Sequence, residues 1–252
     1  LEQEPSQVRC KKLVELGGVS CDRISDGGKL VCLDPEVSLK PHGCVVFSFG
    51  LGDEVSFDNA ADRFGCDVYM MDPTVPPQWY QDGSSSRQHF FSVGLSNQTM
   101  VEAMDLEQSS NLSDWRGVVN ITMATYDDVR KLIKYHGTVH YLKMDIEGSE
   151  WKSLDYMMEN DLLQGTQQII VELHLLRFFR MTQEQGVARL RQKWLLLERL
   201  EEHGFLRVRY QATQSSSTLH RIQGTNRTLQ TCGELFLLRS NSSVGHSNSH
   251  EQ

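Results

Sequence analysis

Three near-continuous apolar runs constrain this chain more than any other feature: CVVFSF at 44–49, VHYLKM at 139–144 and QIIVEL at 168–173. A strand with one wet face alternates apolar and polar residues, whereas a strand buried on both faces does not. Burial on both faces belongs to a parallel sheet covered by helices. Further strands are expected at Asp67–Met71, His89–Gly94, Leu206–Tyr210 and Leu235–Arg239. Helical spacing predicts helices at Ser56–Arg63, Tyr126–His136, Glu150–Asn160 and Gln183–His203. The last of these carries Leu190, Trp194, Leu197 and Leu200 on one face and stops before Gly204, a residue suited to a helix C-terminus. Strands and helices alternate from Pro41 onward, so the expectation is an α/β protein with a seven-stranded, mostly parallel sheet and helices on both faces.

At 252 residues the chain suits one well-filled domain with an extension. The domain is expected at 41–239, after an N-terminal extension at 1–40 in which Gln7 to Leu16 forms a short helix. Residues 240–252, rich in Ser, Asn and His, read as a disordered tail. The chain begins at Leu1 rather than Met, which is read as an upstream segment, a signal peptide or an anchor, removed or left out. No apolar run of about eighteen residues is present, so no membrane-spanning segment is expected. Lys plus Arg number 25 against 33 Asp plus Glu, a balance that disfavours a nucleic-acid partner.

Two features point to the secretory pathway. N-x-S/T acceptors occur at Asn97, Asn111, Asn120, Asn226 and Asn241, most of the asparagines present, which reads as a glycoprotein. The six cysteines form no CxxC pair, so a zinc knuckle is not expected and up to three disulfides are compatible with the count. Cys44 and Cys66 each precede a strand, and their strands are neighbours in such a fold, so a bridge between them is geometrically allowed.

The first apolar run passes straight into GLGDE. Gly50 and Gly52 permit a sharp turn and let a ligand approach backbone that a Cβ would block. In an open parallel sheet, ligands sit beyond the carboxyl ends of the strands. The second strand ends at Asp72, twenty residues past Gly52, about where such folds place an acid for the ribose hydroxyls of a nucleoside. A nicotinamide dinucleotide wants a third glycine where this chain has Val55, and Asp53 and Glu54 would repel its pyrophosphate. S-adenosylmethionine carries a sulfonium and an ammonium and no phosphate, so it tolerates those acids.

Charged residues also sit at the ends of two buried strands. Strand alternation places Lys143, Asp145 and Glu147 on one face if the extended backbone persists that far, and Glu172 with His174 on one face of the neighbouring run. Such groups are costly to bury unless paired or functional. Asp145, Glu172 or His174 could take a proton from an acceptor, and Lys143 could steady an oxyanion. The bland reading is a Lys143–Asp145 ion pair, with Glu147 capping the helix that starts near Glu150. No three ligands are held together by the sequence, so no metal is assigned. Trp79 and Tyr80 could stack on a ring, or merely pack their loop.

The segments CVVFSFGLGDEVSF, CDVYMMDPT and YLKMDIEGSEWKSLD together resemble the FkbM-like S-adenosylmethionine-dependent methyltransferases, in their methyltransferase-like branch, from about Pro41 to Arg239. The resemblance implies a Rossmann-like class I fold with an antiparallel last strand. It also implies a donor pocket at Phe49, Gly50, Gly52 and Asp72, with Gly94 and Leu95 near the adenine. Many members carry an acid before the glycines, where this chain has Ser48. The function expected is methyl transfer to an oxygen of a small-molecule or glycan acceptor in the secretory lumen. The alternatives are a catalytically inactive binding module and an NAD-dependent oxidoreductase.

Overall fold

The structure, a computed structural model, describes residues 5–21, 24–37, 39–52, 54–75, 86–105, 118–175, 181–213, 218–222 and 227–240. Asp53, Trp79, Tyr80, the acceptors at Asn111, Asn226 and Asn241, and the tail expected beyond residue 240 lie outside them.

The central sheet has seven strands: β1 (Val45–Phe49), β2 (Asp67–Met71), β3 (Gln88–Phe91), β4 (Val139–Met144), β5 (Thr166–His174), β6 (Phe205–Ala212) and β7 (Cys232–Arg239). Their spatial order is β3-β2-β1-β4-β5-β7-β6. Every neighbouring pair is parallel except those made by β7, which runs antiparallel to β5 and to β6. The order reverses between β1 and β4, so a crevice opens beyond their carboxyl ends. The expected sheet and its antiparallel last strand are therefore observed.

Among the described residues four α-helices cover the sheet: α1 (Ser56–Phe64), α2 (Tyr126–Leu132), α3 (Glu150–Glu159) and α4 (Gln183–Glu202). One core packs Phe47, Phe49, Leu142, Met144 and Val171 against Trp151 and Leu154 of α3 and Leu200 of α4. The opposite core packs Val46, Val68, Met70 and Tyr141 against Phe57 and Ala61 of α1. This two-sided burial is what the unbroken apolar runs require. α4 begins in a capping box, Thr182 accepting from Gln185 N while the Gln185 side chain accepts from Thr182 N.

Three expectations need correction. No helix forms at Gln7–Leu16. Gln7 N and Val8 N both donate to Arg207 O on β6, Lys11 N and Lys12 N donate to the Asp34 carboxylate, and Leu13–Leu16 pairs antiparallel with Lys29–Cys32. Each of those N–H groups is taken by a partner distant in sequence, and none is left for an i−4 carbonyl. α2 ends at Leu132 rather than His136, because Lys134 turns left-handed at φ 55°. The strand expected through Gly94 stops at Phe91, where Val93 N turns back onto Phe91 O. Gly94–Leu95 instead joins Met100–Asp105 and Val118–Ala124 in a separate three-stranded sheet.

The N-terminal segment packs into the second core through Cys10, Val31, Cys32 and Val37. Gln168 of β5 secures it: its Oε1 accepts from Cys32 N and its Nε2 donates to Cys32 O, both at 2.8 Å. The side-chain amide thus copies a strand pairing where no strand can reach. Disulfides join Cys10 to Cys32 and Cys44 to Cys66. Among the described residues no helix is long and apolar enough to cross a membrane.

Candidate functional site

β1 ends in a turn built on two glycines. Gly50 has φ 79° and Gly52 φ 57°, the left-handed region that side chains resist. A Cβ on Gly50 would lie 1.6 Å from Asp145 O, so the turn can press against the end of β4 only with glycine there. Asp145 N donates to Phe49 O and Gly50 N to Met71 O, each at 3.0 Å, while Lys143 Nζ donates to Gly50 O. No atom lies within 4 Å of where a Cβ on Gly52 would stand, so that side of the turn is open to a ligand.

Asp72 is placed differently from its sequence expectation. One carboxylate oxygen accepts from Leu51 N (2.8 Å) and Gly52 N (3.2 Å), and the other from Thr74 N (2.8 Å) and Thr74 Oγ1 (2.6 Å). Both oxygens are engaged with protein, so Asp72 anchors the glycine turn from the end of β2. Glu54 closes the start of α1, its Oε1 accepting from Ser56 N at 2.8 Å. A carboxylate there excludes a pyrophosphate from that helix N-terminus, which removes the main support for a dinucleotide ligand. Phe49 and Leu95 are fully buried, with Phe49 packed near Tyr126, and a Cβ on Gly94 would meet Met123 Sδ at 2.5 Å. Phe49 and Leu95 belong to the same buried core.

Beside the turn lies a knot of charged groups at the ends of β4, β5 and β7. The buried His174 imidazole has Nε2 3.7 Å from Glu147 Oε2 and 3.9 Å from Asp145 Oδ1, and Nδ1 3.5 Å from Glu150 Oε1. Glu150 is itself buried, one oxygen accepting from His174 N and the other from Gly148 N. Trp151 Nε1 donates to His174 O, so α3 grips the last residue of β5 at two points. Glu172 accepts from Cys232 Sγ (2.6 Å) and Thr213 Oγ1 (3.3 Å). Across the sheet Lys29 pairs with Glu234 at 2.5 Å.

The electrostatics follow from burial and from carboxylates outnumbering cations. Burial works against the His174 imidazolium, yet the contacts to Cys232 and Glu150 outweigh it and push the group up to about 11. Burial and the neighbouring Asp145 raise Glu172, and burial with Glu172 beside it keeps Cys232 a thiol. A charged His174 is a poor base, so proton acceptance falls to the carboxylates. Burial likewise raises Asp58 of α1, against the pull of Lys143.

Asp145, Glu172 and His174 stand close together at the strand ends; Lys143 pairs in register with Ile170 and so keeps the strand face of Glu172, whereas Glu147 lies beyond the strand. β4 ends at Met144, and Glu147 turns left-handed at φ 52°. Lys143 serves the Gly50 carbonyl rather than an ion pair with Asp145, and Glu147 does not cap α3. Sequence reasoning passed over Glu150, Cys232, Glu234 and Lys29. Only the registers His174↔Cys232 and Glu172↔Glu234 bring β7 to this site.

An open, mostly parallel sheet with a glycine turn and acids beyond its switch point defines a class, the Rossmann-like α/β proteins, whose ligands sit beyond the carboxyl ends of the strands. Residues 3–220 match the family model described as a methyltransferase domain, and the chain belongs to that methyltransferase family. It is 28% identical over 180 residues to "Probable methyltransferase-like protein 24" of Rattus norvegicus, a match covering 62% of this chain and 44% of that protein. The chain thus spans less than half the length of that relative. Among solved structures it is similar to the FkbM methyltransferase of Methylobacillus flagellatus, with 16% identity over 50% of this chain and 32% of that one and a TM-score of 0.33. It is also similar to Sp1610 of Streptococcus pneumoniae, solved in complex with S-adenosyl-L-methionine, with 10% identity, coverage of 83% and 72%, and a TM-score of 0.41.

Proposed function

We propose that this chain transfers the methyl group of S-adenosylmethionine to an oxygen of a small-molecule or glycan acceptor in the lumen of the secretory pathway. One observation carries the reading: the glycine turn lies directly against the backbone of Asp145, whose carboxylate stands 3.9 Å from the His174 ring. Donor and proton-handling groups would then face one crevice. When bound, S-adenosylmethionine supplies an electrophilic methyl on a positive sulfonium. Phe49, Gly50, Gly52, Gly94 and Leu95 shape the donor pocket, and Asp72 holds its turn in place. Asp145 or Glu172 takes the proton of the acceptor oxygen, with His174 orienting the carboxylates, while Lys143 positions the turn through Gly50. Glu54 at the α1 N-terminus favours a ligand without phosphate.

The compartment is inferred from covalent chemistry. Disulfides persist in oxidising environments, and the described residues include two, with exposed N-x-S/T acceptors at Asn97 and Asn120. The reading as a catalytically silent module is weaker, because burying Glu150, Glu172 and His174 is costly without a use.

Calorimetric titration of the glycosylated chain with S-adenosylmethionine tests the proposal, followed by turnover with a panel of hydroxylated metabolites and glycans. Binding at micromolar concentration is expected. Asp145→Asn should keep donor binding and lower turnover about 100-fold. Absence of donor binding by folded protein would move the assignment to the silent module.

A further inference from the structure

We propose that Asp145, Glu147 and His174 form a site for one divalent transition-metal ion beside the glycine turn. The methyl-transfer reading bears only on what the ion does there, and the binding argument stands on the three side chains themselves.

Their potential ligand atoms all lie within 4.8 Å of one another. Atoms bound at about 2.0–2.2 Å to a common ion stand roughly 3–4 Å apart. His174 Nε2 lies 3.7 Å from Glu147 Oε2 and 3.9 Å from Asp145 Oδ1, too far for hydrogen bonds and suited to two ligands around a shared ion.

The histidine supplies the independent sign. It is 8% exposed, and its Nδ1 faces Glu150 Oε1 at 3.5 Å rather than the two carboxylates of the site. The hydrogen bonds that fix the residue are made by its backbone, N to Glu150 and O from Trp151. Its Nε2 is aimed at Glu147 and Asp145, and among the described residues it makes no hydrogen bond to either. Among the described residues neither Asp145 nor Glu147 makes an ion pair with Lys or Arg. Lys29 is committed to Glu234 and Lys143 to the Gly50 carbonyl.

The donor set selects the ion. One imidazole nitrogen with two carboxylate oxygens suits Mn²⁺, Fe²⁺ or Zn²⁺, whereas Ca²⁺ and Mg²⁺ prefer oxygen alone. The neighbouring triple Glu172, His174 and Cys232 is the poorer site, since Cys232 already donates to Glu172 at 2.6 Å. Glu147 is the outer ligand, its side chain 79% exposed, so solvent and an acceptor can reach the remaining positions. An acceptor hydroxyl bound there loses its proton more easily, which narrows the acceptor class to molecules that present a metal-binding oxygen.

Chelator-treated full chain would be titrated with MnCl₂, read by the loss of the free Mn²⁺ resonance signal, and with ZnCl₂ by calorimetry. One ion per chain at micromolar affinity is expected, with MgCl₂ and CaCl₂ at least tenfold weaker. Glu147→Gln, at an exposed position, should leave the melting temperature unchanged and weaken Mn²⁺ by tenfold or more, and His174→Gln should weaken Mn²⁺ by at least as much. No stoichiometric binding by folded chain, affinity unaltered in both variants, or equal affinity for Ca²⁺ would overturn the site. S-adenosylmethionine binding on the same samples separates the two readings. Donor binding without metal binding removes the metal site and leaves methyl transfer standing, and metal binding without donor binding does the reverse.

Discussion

At the scale of single residues, position in the turn matters more than charge. Gly50 is irreplaceable for two separate reasons, a left-handed φ and the Asp145 carbonyl where a Cβ would go. Asp72 stands out in the sequence by its spacing from the glycines, and its four hydrogen bonds support Leu51, Gly52 and Thr74. Asp72→Ala should therefore weaken donor binding and also destabilise the chain. Hydrogen bonds to a charged group are worth about 1.5–3 kcal/mol, so the melting temperature should fall by roughly 4–8 °C by calorimetry. Lost donor binding at an unchanged melting temperature would instead place Asp72 against the ligand itself.

At the scale of elements, the N-terminal segment departs furthest from local preference. Its apolar spacing suits a short helix, but its backbone is claimed by Arg207, Asp34 and a strand partner. Non-local partners decide such a segment, because a short isolated helix is marginal in water. Gln168 clamps it to β5 through both Cys32 backbone groups. Gln168→Ala would leave a buried N–H and C=O unpaired, at about 1–3 kcal/mol each. The expected outcome is a loss of at least 2 kcal/mol in denaturant unfolding, together with faster hydrogen exchange at residues 29–32. Exchange unchanged at those amides would show that the segment is held by its disulfide and core contacts alone.

At the scale of the whole molecule, the sheet face that carries α1 and the N-terminal segment is closed by covalent as well as apolar contacts. Cys44–Cys66 ties the start of β1 to the start of β2 across α1, and Cys10–Cys32 closes the N-terminal segment, each over a separation of 22 residues. A loop of that size restricts the unfolded chain by about 3 kcal/mol. Replacing Cys44 and Cys66 together by Ala should lower the melting temperature by roughly 6–12 °C while leaving the far-ultraviolet spectrum unchanged. A drop of a degree or less would mean that the unfolded chain is already compact there.

The sequence by itself determined the layered α/β architecture, because continuous apolar runs can be buried only between two layers. It also located the glycine turn and the acids at the strand ends, since both follow from short-range spacing. The tertiary structure alone decided which acids meet. His174 faces Asp145, Glu147, Glu150 and Cys232 through contacts among β4, α3, β5 and β7, and the separation from Asp145 to Cys232 carries no periodicity a local pattern could reveal. The turn of Asp72 inward, the unwinding of the expected N-terminal helix and the grouping of three metal-binding side chains share that cause. Each depends on backbone groups satisfied by partners far along the chain, which local propensity cannot specify.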